Sequence, residues 1–168
     1  ESMAHAVHDF RIFMDYLEGR GVSRIGVTGI SLGGYTSALL AAVEDRLHFS
    51  IPNVPVVSLP DLVLEWFPMN IAIKSLLKLS GTSVREARHM LAVHSPLTYQ
   101  PLIPRERLMV IAGAGDRLAP PKHARLLWDH WDRPRIHWFP GNHLLHLDKG
   151  KYLKEIARFL REIEFDKV

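Results

Sequence analysis

The sequence predicts a three-layer α/β fold, with a mainly parallel sheet covered by helices on both faces. Two observations lead to this prediction. Short apolar runs alternate with longer amphipathic stretches, and the last two runs each end in a glycine-containing loop. Such alternation is typical of parallel sheets, because a crossover between parallel strands needs a connection of helical length. The predicted strands lie at 23–28, between residues 46 and 57, at 108–112 and at 135–139.

Each helix is predicted from apolar residues that recur every three or four positions. In the first helix, at 2–18, these are Met3, Val7, Phe10, Met14 and Leu17, and glycines follow it. The second, at 34–43, is rich in Ala and Leu. The helix at 121–131 aligns Ala124, Leu127, Trp128 and Trp131, and the last, at about 150–164, aligns Leu153, Ile156, Leu160 and Ile163.

The composition is ordinary for a globular domain of 168 residues, 47% hydrophobic and 23% charged. The formal net charge of +3 is small and the basic residues are scattered, so no nucleic-acid partner is predicted. The chain has no cysteine, which excludes disulfides, a cysteine nucleophile and thiolate metal sites. Nothing in the sequence implies a cofactor.

Ser31 is the candidate nucleophile. It lies in Gly29-Ile30-Ser31-Leu32-Gly33, between a β-rich run and an Ala-rich helix. A sharp strand–turn–helix connection exposes the serine hydroxyl and brings backbone segments together, so we expect small residues two positions before and two after it. Gly29 and Gly33 occupy those positions, and Gly34 adds further room. The alternative is that Ser31 only caps the following helix, since serine is a favoured N-cap.

A serine nucleophile needs a base, and the base needs an acid that orients it. Asp116 follows the third predicted strand in Gly113-Ala114-Gly115-Asp116, and His143 follows the fourth in Pro140-Gly141-Asn142-His143. The carboxyl ends of parallel strands meet at one edge of a sheet, so these side chains are expected close to Ser31. Three alternatives remain: Asp116 shapes a turn, His146 is the base instead, or the two histidines hold a metal.

With these residues in the order Ser, Asp, His, the chain resembles the C-terminal half of the α/β-hydrolase superfamily. The resemblance implies that Ser31 is the nucleophile, His143 the base and Asp116 the acid, with the backbone N–H of Leu32 in the oxyanion hole. It implies a serine hydrolase, most simply a carboxylesterase that forms an acyl-enzyme on a small-molecule or acyl ester. The alternatives are a serine peptidase of the same superfamily and a non-catalytic binding protein that keeps the fold.

Residues 59–95 differ in composition from the rest of the chain, with many large apolar residues, and are predicted to form a small helical cap within the single domain 1–168. Trp66 and Phe67 in this stretch are candidate pocket residues. The family sheet has about eight strands and the nucleophile follows the fifth, whereas this chain supplies one strand before Ser31 and three after it. We therefore expect the open side of strand 23–28 to pair with a missing N-terminal half of the same protein or with a second chain.

Overall fold

A computed structural model describes residues 2–58, 62 and 69–167. Its sheet has four parallel strands, which lie side by side in chain order. They are β1 (Ile25–Ile30), β2 (Leu47–Asn53), β3 (Met109–Gly113) and β4 (Arg135–Phe139). All four carboxyl ends therefore lie at one edge of the sheet, and the loops that follow β1, β3 and β4 carry the three candidate site residues.

The helices lie before, between and after these strands. They are α1 (Ser2–Gly19), α2 (Leu32–Val43), α3 (Met69–Leu79), α4 (Val84–Ala92), α5 (Pro121–His130) and α6 (Lys149–Glu162), with a short 3₁₀ turn at Arg105–Arg107. Among the described residues, no helix has both the length and the apolarity that a membrane crossing requires.

Two hydrophobic clusters cover the two faces of the sheet. On one face α1, α2 and α5 contribute Met14, Ala38, Leu40 and Leu127, which pack with Leu47, Leu108, Val110 and with Trp131 at the end of α5. On the other face α6 contributes Tyr152 and Phe159, which pack with Phe49, Ile51, Met109, Ile111 and Phe139. The three-layer α/β prediction is thereby confirmed, and the sheet is fixed rigidly enough to position the loops at its carboxyl edge.

Two boundaries at the start of the sheet differ from the sequence prediction. β1 runs from Ile25 to Ile30 and not from 23 to 28, because its pairing with β2 extends to the contact of Ile30 with Asn53. Helix α2 begins at Leu32 and not at residue 34. Gly34 lies within it even though glycine is a weak helix former. A Cβ at that position would be 2.6 Å from the Asn53 carbonyl oxygen, so the close packing of α2 on β2 requires a glycine there.

An ion-pair network ties α1 to the turn between α2 and β2. The buried Glu44 carboxylate accepts hydrogen bonds from Arg46 Nε at 3.0 Å and from Arg11 Nε at 3.2 Å. The hydrogen bond from the Arg46 side chain, followed by its backbone N–H and charge and by Arg11, holds the pKa of Glu44 below its ordinary value. A buried carboxylate needs such partners to remain charged, and here they anchor the helix that leads into β1.

The predicted cap at 59–95 contains α3 and α4. None of its residues from 70 to 95 whose side chains are described is buried, in contrast to the strands and α2. Two hydrogen bonds attach the C-terminal end of this segment to the rest of the domain. Tyr35 Oη donates to the His94 carbonyl, and Ser95 Oγ donates to the Val57 carbonyl at 2.8 Å. Its role as a cap stays a prediction, and the candidate pocket residues Trp66 and Phe67 lie outside the described residues.

Candidate active site

Ser31 occupies the turn between β1 and α2 in a strained backbone conformation, with φ 58° and ψ −112°. A positive φ costs a non-glycine residue about 1–3 kcal/mol and persists only where the surroundings enforce it. Here both sides of the turn are fixed. The Ser31 N–H donates to the Asn53 carbonyl at 3.0 Å, and the Ser31 carbonyl accepts from the Tyr35 N–H at 2.9 Å. The first strand pair and the first turn of α2 therefore hold the serine at the carboxyl edge.

The glycines around Ser31 do not have equal roles. A Cβ on Gly29 would lie 2.5 Å from the carbonyl carbon and oxygen of Gly33, so residue 29 must be glycine. A Cβ on Gly33 would meet none of the described residues outside its own helix within 4 Å. The expectation that both flanking positions need small side chains is therefore wrong for Gly33. The close approach is between Cα of Gly29 and the Gly33 backbone, and the Gly33 Cβ direction is open.

Asp116 follows β3 and is almost fully buried. Its two carboxylate oxygens have different partners. Oδ1 accepts from the backbone N–H groups of Leu118 and Ala119 at 2.9 and 2.8 Å, and Oδ2 lies 2.7 Å from Nδ1 of His143. Asp116 therefore shapes its own turn and also contacts the candidate base; its role as the acid stays a prediction. Because a carboxylate only accepts hydrogen bonds, Nδ1 carries the proton and Nε2 is the basic nitrogen.

The loop that carries His143 is shaped by its neighbours. Asn142 Oδ1 accepts from the N–H groups of Leu144 and Leu145 at 3.0 and 2.9 Å. The His146 ring stacks on Phe139 with 4.4 Å between centroids, and its Nε2 lies 3.1 Å from the His143 carbonyl oxygen. His143 thus contacts the aspartate, whereas His146 packs beneath the loop and supports it.

The loop after β3 (residues 114–120, the aspartate loop) and the loop after β4 (residues 140–148, the histidine loop) are hydrogen-bonded to each other. The Gly115 N–H donates to the Gly141 carbonyl at 2.9 Å, and the Ala114 N–H donates to the Phe139 carbonyl at 3.0 Å. A Cβ on Gly115 would be 2.8 Å from the Gly141 oxygen, so a larger residue would push the loops apart. These two backbone hydrogen bonds hold Asp116 close to His143.

The structure brings Asp116 and His143 into contact and places Ser31 on the loop after β1, at the same edge of the sheet but with β2 between β1 and β3. Within the described part of the chain, the Ser31 hydroxyl and His143 Nε2 share no hydrogen bond, and Nε2 has no other partner. Catalytic hydrogen bonds are often long without substrate and shorten when it binds. Leu32 is the first residue of α2, so its backbone N–H has no intrahelical acceptor and is free to bind an oxyanion.

Other site residues were not singled out from the sequence. Asn53 supplies the carbonyl that holds the Ser31 turn; the strand end beside the nucleophile was the available signal. Asn142 follows a glycine in a polar loop, which is typical of a side-chain turn. Over the described residues, no group of three or more His, Asp or Glu side chains is placed to hold a metal ion.

Comparison with solved structures identifies the fold. The chain superimposes on an esterase from Pyrococcus furiosus with a TM-score of 0.65 at 14% identity, covering 93% of this chain and 61% of the esterase. It superimposes on a puromycin hydrolase variant with a TM-score of 0.65 at 18% identity, covering 89% and 24%. An acylaminoacyl peptidase from Pyrococcus horikoshii matches with a TM-score of 0.58 at 18% identity, covering 91% and 25%. The chain has the α/β-hydrolase fold.

Sequence comparison finds relatives of greater length. Two uncharacterized proteins of Mycobacterium tuberculosis, MT2702 from strain CDC 1551 and Rv2627c from strain H37Rv, are each 34% identical over 142 residues. The match covers 83% of this chain and 33% of each relative, so the chain spans about a third of the length of these relatives. No protein-family model matches the chain.

Proposed function

We propose that this protein is a serine hydrolase that cleaves a carboxylic ester by acyl transfer to Ser31. The observation that carries the proposal is the 2.7 Å contact between Asp116 and His143 Nδ1, at the sheet edge that also holds the strained Ser31 turn. An acid that binds Nδ1 fixes the orientation of the imidazole ring and leaves Nε2 as the basic nitrogen. A serine hydroxyl requires such an oriented base for its activation.

The proposed steps use this chain's own groups. His143 Nε2 accepts the Ser31 proton as Oγ attacks the ester carbonyl, and the Leu32 N–H donates to the oxygen on which negative charge develops. His143 then gives the proton to the leaving alcohol, and an acyl-enzyme remains. Water attacks the acyl group while Nε2 takes its proton, and Ser31 regains a proton when the acid leaves. Asp116 stays ionised throughout and stabilises the imidazolium.

The apolar acyl chain needs a lining. Trp66 and Phe67 are its candidates, on the ground of the sequence alone. Hydrolase pockets are mostly apolar with a few placed polar groups, and in the sequence these aromatic residues follow β2.

A peptidase is the second candidate. Its support is that the structural neighbours include an acylaminoacyl peptidase as well as an esterase. Both reactions proceed through the same acyl transfer and differ in the leaving group, an alcohol or an amine. A hydrolase-fold binding protein without activity is the third alternative, and it would have no need of the paired Asp116 and His143.

The test is turnover of p-nitrophenyl esters and of aminoacyl p-nitroanilides by the full-length protein. Ester hydrolysis that falls by about 10⁴-fold or more in Ser31→Ala is the expected result. Ser23→Ala is the matched control, because Ser23 is exposed at the opposite, amino end of β1. Faster cleavage of the anilides would favour the peptidase. Ester turnover that survives in Ser31→Ala would overturn the assignment.

A further inference from the structure

A pocket of about 580 Å³ opens between the aspartate loop and the histidine loop. His143 forms part of its wall, so a molecule bound in it would lie next to the proposed base. Leu118 and Leu144 supply apolar surface, and Arg117 supplies the one charged side chain in the lining. Both leucines are exposed to solvent in this structure, at 41% and 81%. Among its described lining residues, the pocket therefore combines apolar surface with one cationic side chain, and His143, the proposed base, forms part of the same wall.

The positive charge of Arg117 is not neutralised within the described part of the chain. Its guanidinium makes no hydrogen bond or ion pair there. The adjacent carboxylate, Asp116, is fully engaged by His143 and by two backbone N–H groups, and its side chain is 0% exposed. Asp148, which follows the histidine loop, pairs with Lys151 at 2.9 Å. A ligand that supplied an anion would meet no competing carboxylate in the pocket lining.

The backbone of Arg117 is held in place. Asp116 Oδ1 binds the N–H groups of the two residues that follow Arg117, so the turn 116–119 is closed around it. The Gly115–Gly141 hydrogen bond of 2.9 Å fixes that turn against the histidine loop. The Arg117 side chain therefore starts from a fixed backbone position in the wall of the pocket, and only its side-chain torsions remain free.

From these observations we propose that Arg117 is a specificity-determining residue that selects esters with a negatively charged group near the scissile bond. A guanidinium binds a carboxylate or a phosphate through two parallel hydrogen bonds, with both charge and geometry matched. The leucines would contact the carbon chain between that anion and the ester. This inference rests on the proposed hydrolase function, because it uses the same histidine.

A comparison of two esters isolates the effect of a negative charge on the acyl chain. The p-nitrophenyl esters of butyrate and of succinate share a four-carbon acyl chain, and only the second ends in a free carboxylate. In the full-length protein, Arg117→Gln should lower kcat/KM for the succinyl ester about tenfold, as expected for one charge-assisted contact in a half-open site. Turnover of the butyryl ester should not change, which also shows that the variant is folded.

The control is Arg20→Gln, because Arg20 is exposed at the end of α1, away from the carboxyl edge. It should leave both esters unaffected. Competition by succinate and by inorganic phosphate shows which anion the arginine favours, and the selective effect should weaken at high salt. Equal losses for both esters, or no loss, in an enzyme that hydrolyses both would overturn this inference alone. Failure of the wild type to hydrolyse either ester would overturn the proposed function and this inference with it.

Discussion

At the scale of single residues, the two histidines of the last loop have separable roles. His143 contacts the buried Asp116, whereas His146 stacks on Phe139 and reaches the His143 carbonyl. A residue that packs under a loop contributes to stability, and one that faces the acid contributes to proton transfer. The loop position of His143 in the sequence already favoured it as the base, and the contacts add a structural role for its neighbour.

His143→Ala should abolish ester hydrolysis, and it should also lower the melting temperature, because Oδ2 of the buried Asp116 carboxylate loses its contact with Nδ1. His146→Ala should keep most of the activity and melt at a lower temperature, because a stacked ring is lost from the loop; such contacts are worth about 0.5–1.5 kcal/mol. Hydrolysis rates and thermal melts of both variants check this. A stable but inactive His146→Ala beside an active His143→Ala would reverse the assignment.

The residues to which we assign chemical roles could be proposed from the sequence because serine nucleophile chemistry demands particular residue types at particular places. Glycines flanking a serine, and aspartate and histidine after successive strands, form a pattern that a serine nucleophile with its base and acid requires. Arg117 and Asn53 could not be proposed in this way. Their roles depend on which carboxylate is already occupied and on which carbonyl meets the Ser31 N–H, and these are facts of three-dimensional packing.

At the scale of elements, the connection between β1 and α2 depends on a backbone approach. Cα of Gly29 lies against the backbone of Gly33, and Gly34 packs on the carbonyl at the end of β2. The sequence pattern is symmetric about Ser31, but the structural demand is not. Helix starts and strand ends differ from the sequence prediction by up to about two residues. Strand pairing and close packing decide these boundaries, whereas the prediction used only local periodicity.

Gly29→Ala should destabilise the protein by about 2 kcal/mol or more, because overpacking against backbone cannot be relieved by a rotamer change. Gly33→Ala should be tolerated, and the better helix propensity of alanine should offset any loss of stability by up to about 1 kcal/mol. Chemical denaturation of the two variants, with ester turnover as a second readout, makes the comparison. Equal destabilisation would show that the open space beside Gly33 is wrongly described.

At the scale of the whole molecule, β1 is an edge strand of the described sheet, paired only with β2. Helix α1, which precedes it, exposes the apolar side chains of Phe10, Ile12, Phe13 and Tyr16, and Ile30 at the end of β1 is exposed as well. An unpaired parallel edge beside apolar surface favours association. We propose that β1 pairs on its open side with a further segment of the same protein or with a second chain.

Residues 1–168 expressed alone should therefore associate or aggregate, and should hydrolyse esters far more slowly than the full-length protein. One reason is the open edge. Another is that, in the described part of the chain, the Leu32 N–H is the one oxyanion donor that we propose; losing one donor typically costs about 10²–10³ in rate. Light scattering together with ester turnover measures both. A monodisperse and fully active monomer would show that β1 needs no partner.

The central claim, that Ser31 is a nucleophile activated by His143 and Asp116, is tested most directly by covalent labelling. The full-length protein is treated with a fluorophosphonate probe, digested and analysed by mass spectrometry. The account predicts one phosphonate adduct, on Ser31, that is absent in Ser31→Ala and forms far more slowly in His143→Ala, while Ser23→Ala labels at the normal rate. Absence of labelling in the wild type, or an adduct on a different serine, would contradict it.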